Sequence, residues 1–373
     1  MRKRTLAVLA ATIAALAAPG CLRAYVFARL PQPVMPPLEA PAGVGSLSAE
    51  ACGACHVDTY AEWKGSQMAR SWTDPVFQLD FAHQGAVYAC RYCHAPIPQQ
   101  QPEIVTGLSS LRPVRGVGEA NPAYDEALRD EGVTCAACHV REGAVEGTFE
   151  GHEAPHPVTV RADFGSAGDC AACHQSPAPP FAPLDRPLLD VVAEWEAWKA
   201  NTGRSEDCVD CHMPVVDRAL TAWTPAREAH RHDFPGAWSD EMVGQAIRVD
   251  EVTRTEAGVR VTVTNLAGHR FPSSDPARAV TIRARLATRD GHDASSEITL
   301  DRRVEFPSFT ERWDTTLAPG ETRALDLPFP AGSLGLSTGA EVGVYWSRLH
   351  NAIPAVRALE STPTLVHSTV AAW

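Results

Sequence analysis

The pentapeptide C-x-x-C-H occurs five times in this chain, and no other feature restricts its fold so strongly. The copies are Cys52-Gly53-Ala54-Cys55-His56, Cys90-Arg91-Tyr92-Cys93-His94, Cys135-Ala136-Ala137-Cys138-His139, Cys170-Ala171-Ala172-Cys173-His174 and Cys208-Val209-Asp210-Cys211-His212. Two thiols at this spacing form thioethers to the two vinyl groups of one haem, and the adjacent His reaches the iron from the proximal side. Paired zinc knuckles do not need a His after every second Cys, and a redox dithiol occurs once per domain. The reading is therefore five covalently attached c-type haems. Each has one Cys pair for attachment and one of His56, His94, His139, His174 and His212 as its first iron ligand.

The first cysteines of successive motifs lie 35–45 residues apart. So little chain cannot wrap each haem separately, and the porphyrins must form much of the core, close to one another. The expected fold over residues 47–242 is a multihaem cytochrome c fold, mostly short α-helices and loops around stacked haems. A helix is expected from Asp58 to Ser71. Another is expected with Asn121 as cap, Pro122 at its first position and Gly132 at its end. Leu188, Val191, Val192, Trp195 and Trp198 recur at helical spacing, as a face packed on the haem core would.

A second axial ligand makes a haem six-coordinate and suited to electron transfer, whereas an open position permits catalysis. Nine His lie outside the motifs. His232-Asp-Phe-Pro and His269-Arg-Phe-Pro share H-x-F-P, in which Pro fixes the turn and Phe can pack on a porphyrin face. Both His are expected ligands, with His230 the weaker neighbour. His152 and His156 follow the third motif in a Gly/Pro-rich loop; one is expected to bind iron, and His156 before Pro157 is favoured. His83, just before the second motif, is a further candidate. His292, His350 and His367 have no haem-like context and are expected at the surface.

From about residue 243 the texture changes. Alternating segments appear at Gln245–Arg254, Gly258–Asn265, Ala279–Ala287, Glu297–Glu305, Arg323–Leu327 and Glu341–Arg348, broken by Gly, Pro and Asp. They predict a C-terminal all-β sandwich over residues 243–373 that shields one end of the haem row or docks a partner. No nucleophile–base set, phosphate loop or metal cluster is legible there.

The N-terminus opens with Arg2-Lys3-Arg4 and an apolar run from Thr5 to Ala18, too short for an ordinary membrane span of about 20 residues. It reads as an export leader over residues 1–21, and Ala18-Pro19-Gly20-Cys21 resembles a bacterial lipoprotein cleavage site. A Pro-rich tether follows over residues 22–46. The chain is thus expected in the periplasm or at the cell surface, with lipid on Cys21 as the favoured membrane anchor and a plain cleaved signal or an uncleaved anchor helix as the alternatives. Its net charge of −12 disfavours nucleic acid as a partner. Redox proteins docked through small interfaces are the expected partners.

The segment Glu62-Trp63-Lys64-Gly65-Ser66-Gln67-Met68-Ala69 resembles the W-x-x-S-x-H-A stretch of multihaem cytochromes related to the cytochrome c-552/4 family. Gly132-Val133-Thr134 before Cys135, Glu194-Trp195, Cys211-His212-Met213-Pro214 and the two H-x-F-P segments are similar too, so the likeness covers roughly residues 48–280. It implies a periplasmic or surface electron carrier with stacked haems. It also implies that Met68, standing where the family has a distal His, is a sixth ligand; a Met ligand raises a haem potential.

The sequence therefore predicts a pentahaem carrier working by haem-to-haem hopping. Two alternatives stay open: an oxidoreductase of nitrite or hydroxylamine type with one open haem, and a subunit of a haem filament. Pentahaem nitrite reductases typically carry Lys in place of one motif His, and here all five motifs end in His.

Overall fold

The structure is a computed structural model. It describes residues 20–30, 38–111, 114–151, 154–176, 183–273, 275–288, 294–306, 308–360 and 362–373. The leader up to residue 19, the proline run at 31–37, His152 and His292 lie outside the described residues. Among the described residues no helix is long and apolar enough to cross a membrane.

Contacts divide the chain into two compact units. The first takes the described residues up to 164 and returns for 217–232; the second takes 165–176, 183–216 and 233–373. This division differs from the sequence boundary at residue 242, because the fourth and fifth motifs group with the β-rich region rather than with the first three.

The first unit is built from short helices, among them Ala49–Gly53, Val57–Gly65, Gln67–Arg70, Pro75–His83, Arg91–His94, Glu126–Asp130 and Cys135–His139. Local chemistry sets their ends. Asp74 accepts hydrogen bonds from the Val76 and Phe77 amides with Pro75 at the first turn, a strong helix start. The single helix expected from Asp58 to Ser71 is two helices. Ser66 turns extended (ψ 167°) and caps the second through its hydroxyl, which accepts from the Ala69 amide. The helix expected after Asn121 begins later, on an Asp125 cap, because Asn121 spends its amide on the Pro98 and Gln101 carbonyls. Gly132, at φ +63°, closes that segment as expected.

An unexpected hairpin pairs Glu103–Leu111 with Val114–Ala120. Two described pieces of the expected Pro-rich, semi-rigid tether are docked on the first unit. Val26 and Leu30 are buried against Tyr88, Ala89, Tyr92 and Leu108, and Leu38 against Ile97, Ala136, Ala137 and Val140. Apolar side chains at these positions dock where a Pro-rich spacer would have stayed solvated.

Beside a short pairing of Gln175–Ser176 with Leu189–Asp190, the second unit holds two larger antiparallel sheets. One orders Ile247–Arg254, Gly258–Asn265 and Thr322–Pro328; the other orders Thr310–Asp314, Ser295–Glu305, Ala279–Thr288, Ser337–Ser347 and Thr364–Ala372. Period-two alternation sends Val259, Val261 and Val263 of the first sheet and Val280, Ile282 and Ala284 of the second into one shared apolar core. Phe271 belongs to this core. It stacks on Trp346 with ring centroids 5.6 Å apart and exchanges backbone hydrogen bonds with Leu317. The expectation that Phe271 packs on a porphyrin is therefore corrected: the sheets take the ring. Phe234 of the other H-x-F-P segment is half-buried at φ +45°.

Candidate functional site

All five motifs coincide with a helical turn. Cys135–His139 and Cys208–His212 are complete short helices, while Ala167–His174 and Arg91–His94 end on their motif His. In the first motif the turn persists past Gly53, since the His56 amide donates to the Cys52 carbonyl at 3.0 Å. A helical turn puts residues i, i+3 and i+4 on one face, so both thiols and the imidazole of each motif share a side.

The imidazoles are then oriented one by one. Nδ1 of His56 faces the Leu220 carbonyl at 3.1 Å, that of His94 the Ser71 carbonyl at 2.8 Å, that of His139 the Glu146 carbonyl at 2.8 Å and that of His212 the Pro235 carbonyl at 2.6 Å. The expected distal residues repeat this: His156 faces the Pro157 carbonyl at 3.3 Å, His232 that of His230 at 3.0 Å and His269 that of Arg270 at 3.0 Å. A carbonyl only accepts, so the neutral ring that makes this contact carries its proton on Nδ1 and its lone pair on Nε2. This is the tautomer and the outer hydrogen bond that a metal-binding His needs. Burial reinforces it. His232 and His269 are each pushed down to about 4, first by desolvation and then by a neighbouring imidazole, His139 and His212 respectively. Desolvation also lowers His56 and His139.

The same residues come together in pairs. His139 and His232 have ring centroids 6.2 Å apart with planes 31° from parallel; His212 and His269 have centroids 6.4 Å apart, 18° from parallel. Metal–imidazole nitrogen bonds of about 2.0–2.1 Å, known best at zinc, place two rings on opposite sides of one metal with centroids about 6.2 Å apart. Both pairs match that spacing. His156 is near enough to His56 to disfavour its protonation, and His174 near enough to His269.

The thiols also pair. Cys52 and Cys135 share a hydrogen bond that holds Cys52 below the usual thiol range and Cys135 above it; Cys170 and Cys208 do the same, with Cys170 low and Cys208 high. The leading thiols of motifs one and three therefore meet in the first unit, and those of motifs four and five in the second. No disulfide joins any two of the motif cysteines. Among the described residues no three of His, Cys, Asp and Glu converge as a zinc cage would.

No family model matches the chain, and no curated protein matches it. Among solved structures it is similar to a penta-heme cytochrome c552 from Thermochromatium tepidum, at 20% identity and a TM-score of 0.63, covering 89% of this chain and 100% of that one. The chain shares that protein's fold.

His83 is exposed at the end of its helix. Met68 is half-buried, and its carbonyl accepts from the Val133 and Ser71 amides. His230 contributes its carbonyl to Arg218 and to His232. His350 is exposed and His367 half-buried on the last strand. Sequence reasoning missed Phe77, which stacks on the His94 ring with centroids 3.7 Å apart. Its place in a helix that ends at His83, before the motif begins at Cys90, gave no signal of this.

Proposed function

We propose that this chain binds five c-type haems, one on each C-x-x-C-H motif, and passes electrons among them on behalf of redox proteins outside the cytoplasm. The observation that carries the reading is the pair of facing imidazoles, His139 with His232 and His212 with His269, at the spacing of two rings on one iron. The likeness to a penta-heme cytochrome in fold supports it. In this reading His156 serves the haem of His56, and Met68 and His83 are two further sixth ligands.

Covalently bound haem supplies reversible one-electron iron chemistry. The chain's own part is to orient and tune. The carbonyls on Nδ1 fix each ring and make its Nε2 a better donor. Burial excludes water from His139, His232 and His269 and keeps them neutral. The thiol contacts, Cys52 with Cys135 and Cys170 with Cys208, bring the attachment corners of two haems together within each unit and so favour transfer between neighbours.

Lipid on Cys21 would hold the first unit close to a membrane. Cys21, Leu22 and Tyr25 are exposed, and Val26, five residues on, is already buried in that unit. Cys21→Ala should then release the protein from membranes. Membrane retention with unchanged mass would defeat the lipid anchor.

The test of the main reading is denaturing mass spectrometry with a pyridine haemochrome assay, followed by electron paramagnetic resonance of the oxidised protein. Five haems, all low-spin, are expected. Four or fewer in mature protein would defeat the count. A high-spin signal would mark an open haem and move the chain to the enzyme reading.

A further inference from the structure

The two facing imidazole pairs are each gripped by a Glu-Trp dipeptide in the same way. In the first unit Glu62-Trp63 sits on the helix Val57–Gly65. Glu62 Oε2 accepts the backbone amide of His232 at 2.8 Å, and Oε1 accepts Arg218 Nη1 at 2.7 Å. Trp63 Nε1 donates 2.8 Å to the carbonyl of Val133, two residues before Cys135. In the second unit Glu194-Trp195 sits on the helix Val191–Thr202. Glu194 Oε2 accepts the backbone amide of Arg270, next to His269, at 2.9 Å, and Oε1 accepts Arg186 Nη1 at 2.8 Å. Trp195 Nε1 donates 2.9 Å to the carbonyl of Glu206, two residues before Cys208.

The correspondence covers every part. A carboxylate holds an H-x-F-P loop at its backbone, an arginine fills the other carboxylate oxygen, and the adjoining indole holds the residue two before a leading haem cysteine. Adjacent residues on a helix do not face each other, so one dipeptide reaches two different loops. Those loops are the two that carry the facing imidazoles, His139 with His232 and His212 with His269. Bonds from a carboxylate to backbone N–H are charge-assisted and short, which suits them to fixing a loop.

We propose that Glu62-Trp63 and Glu194-Trp195 are positioning residues, each bracing one haem from its proximal loop to its distal loop. Glu62-Trp63 braces the haem of Cys135 and Cys138, and Glu194-Trp195 that of Cys208 and Cys211. The proposal rests on the reading of these imidazole pairs as axial ligands. It makes the two centres repeats of one design across the chain. It also puts an arginine-paired carboxylate beside each distal loop, and removing that carboxylate's charge leaves the arginine unbalanced, which favours the reduced iron.

The test uses the full holoprotein and compares Glu62→Gln, Glu194→Gln, Trp63→Phe and Trp195→Phe with His232→Ala and His269→Ala. Gln keeps an acceptor for the loop amide but loses the charge; Phe keeps the ring but loses the donor. The readouts are resonance g-values and a potentiometric titration. Glu62→Gln and Trp63→Phe should alter the same single low-spin component that His232→Ala removes. Glu194→Gln and Trp195→Phe should alter the component that His269→Ala removes. Each Gln variant should raise the potential of that haem. If the His variants each remove one component while the Glu and Trp variants leave every g-value and potential in place, the brace is overturned and the ligand assignment stands. A shift in the other unit's component overturns it as well. If neither His variant removes a component, the ligand assignment fails and the brace with it. Should a Gln variant not accumulate, the Trp→Phe variant of that unit decides.

Discussion

In the second unit the buried apolar side chains of two sheets form one cluster that runs from Val243 to Trp346, whereas in the first unit they fall into small clusters around Tyr88, Ile97 and Phe81. The small clusters include residues of the motifs themselves: Tyr92 of the second and Ala136 and Ala137 of the third. The large one contains Phe271 of an H-x-F-P loop and, among the described residues, no motif residue. The same kind of imidazole pair is thus built on two supports. His269 follows from a loop whose Phe is locked into a protein core, while His232 follows from a loop whose Phe is half-buried. The second unit can hold its distal loop by protein packing; the first has only small apolar clusters, and in the proposed reading its haems complete the core.

The largest expected effect breaks the comparison outright. A chain with all ten motif cysteines changed to Ala should lose protease resistance throughout the first unit and keep a resistant fragment containing the two sheets. Mass spectrometry of a limited digest reads this. Equal survival of both units without haem would refute the difference in support.

Single core truncations sharpen it. Leu317 is fully buried and bonded through its backbone to Phe271, so Leu317→Ala should cost about 2–5 kcal/mol. Denaturant unfolding should show that cost with and without haem. Ile97 is equally buried but packs on Ala136 and Ala137 of the third motif. Ile97→Ala should destabilise only the haem-loaded protein. A cost for Ile97→Ala in haem-free chain would show an independent core in the first unit.

What the sequence disclosed follows the same division. Strand Gly258–Asn265 was legible to the residue, because valine alternates with polar residues from Val259 to Thr264 and the valine face is buried. The edge strand Thr364–Ala372 was not, because it exposes Leu365 and Val370 and so lacks the apolar-in, polar-out alternation. The hairpin at Glu103–Ala120 was hidden by its glycines. Gly118 is obligatory there: a Cβ on it would lie 2.0 Å from the Ile104 carbonyl oxygen. Motif helices and their His were legible from local spacing. Which imidazoles face each other was not, and neither was Glu62 at His232, since 170 residues separate them.

Met68 gives a smaller effect, confined to one centre. It is the one expected ligand that is not an imidazole, and a thioether favours ferrous iron. Met68→His should lower a single potential and leave the others in place. If no potential moves and the native protein lacks a methionine–iron charge-transfer band, Met68 is part of the packing of its helix.

The smallest effect concerns the charges that anchor the His269 loop. Arg186 bridges Glu194 at 2.8 Å and Asp314 at 2.7 Å, and the two carboxyls respond oppositely. Glu194 is the more deeply buried; desolvation raises it above its ordinary value of 4.5, outweighing the Arg270 amide and the Arg186 charge. Asp314 is also desolvated, yet hydrogen bonds from Thr316 and Arg186 hold it below its ordinary 3.8. The signs follow from proton counting. A raised carboxyl binds more protons folded than unfolded, so the stability it contributes is present below 4.5 and lost as pH climbs through its raised folded value. A depressed carboxyl contributes above 3.8 and loses that contribution as pH falls through its lower folded value. Glu194→Gln removes only the first trend. Thermal unfolding of the second unit should therefore decline less with rising pH above 4.5 in Glu194→Gln than in the native chain, with the acid limb unchanged. Parallel pH profiles above that point would show that Arg186 and the Arg270 amide, rather than burial, govern Glu194.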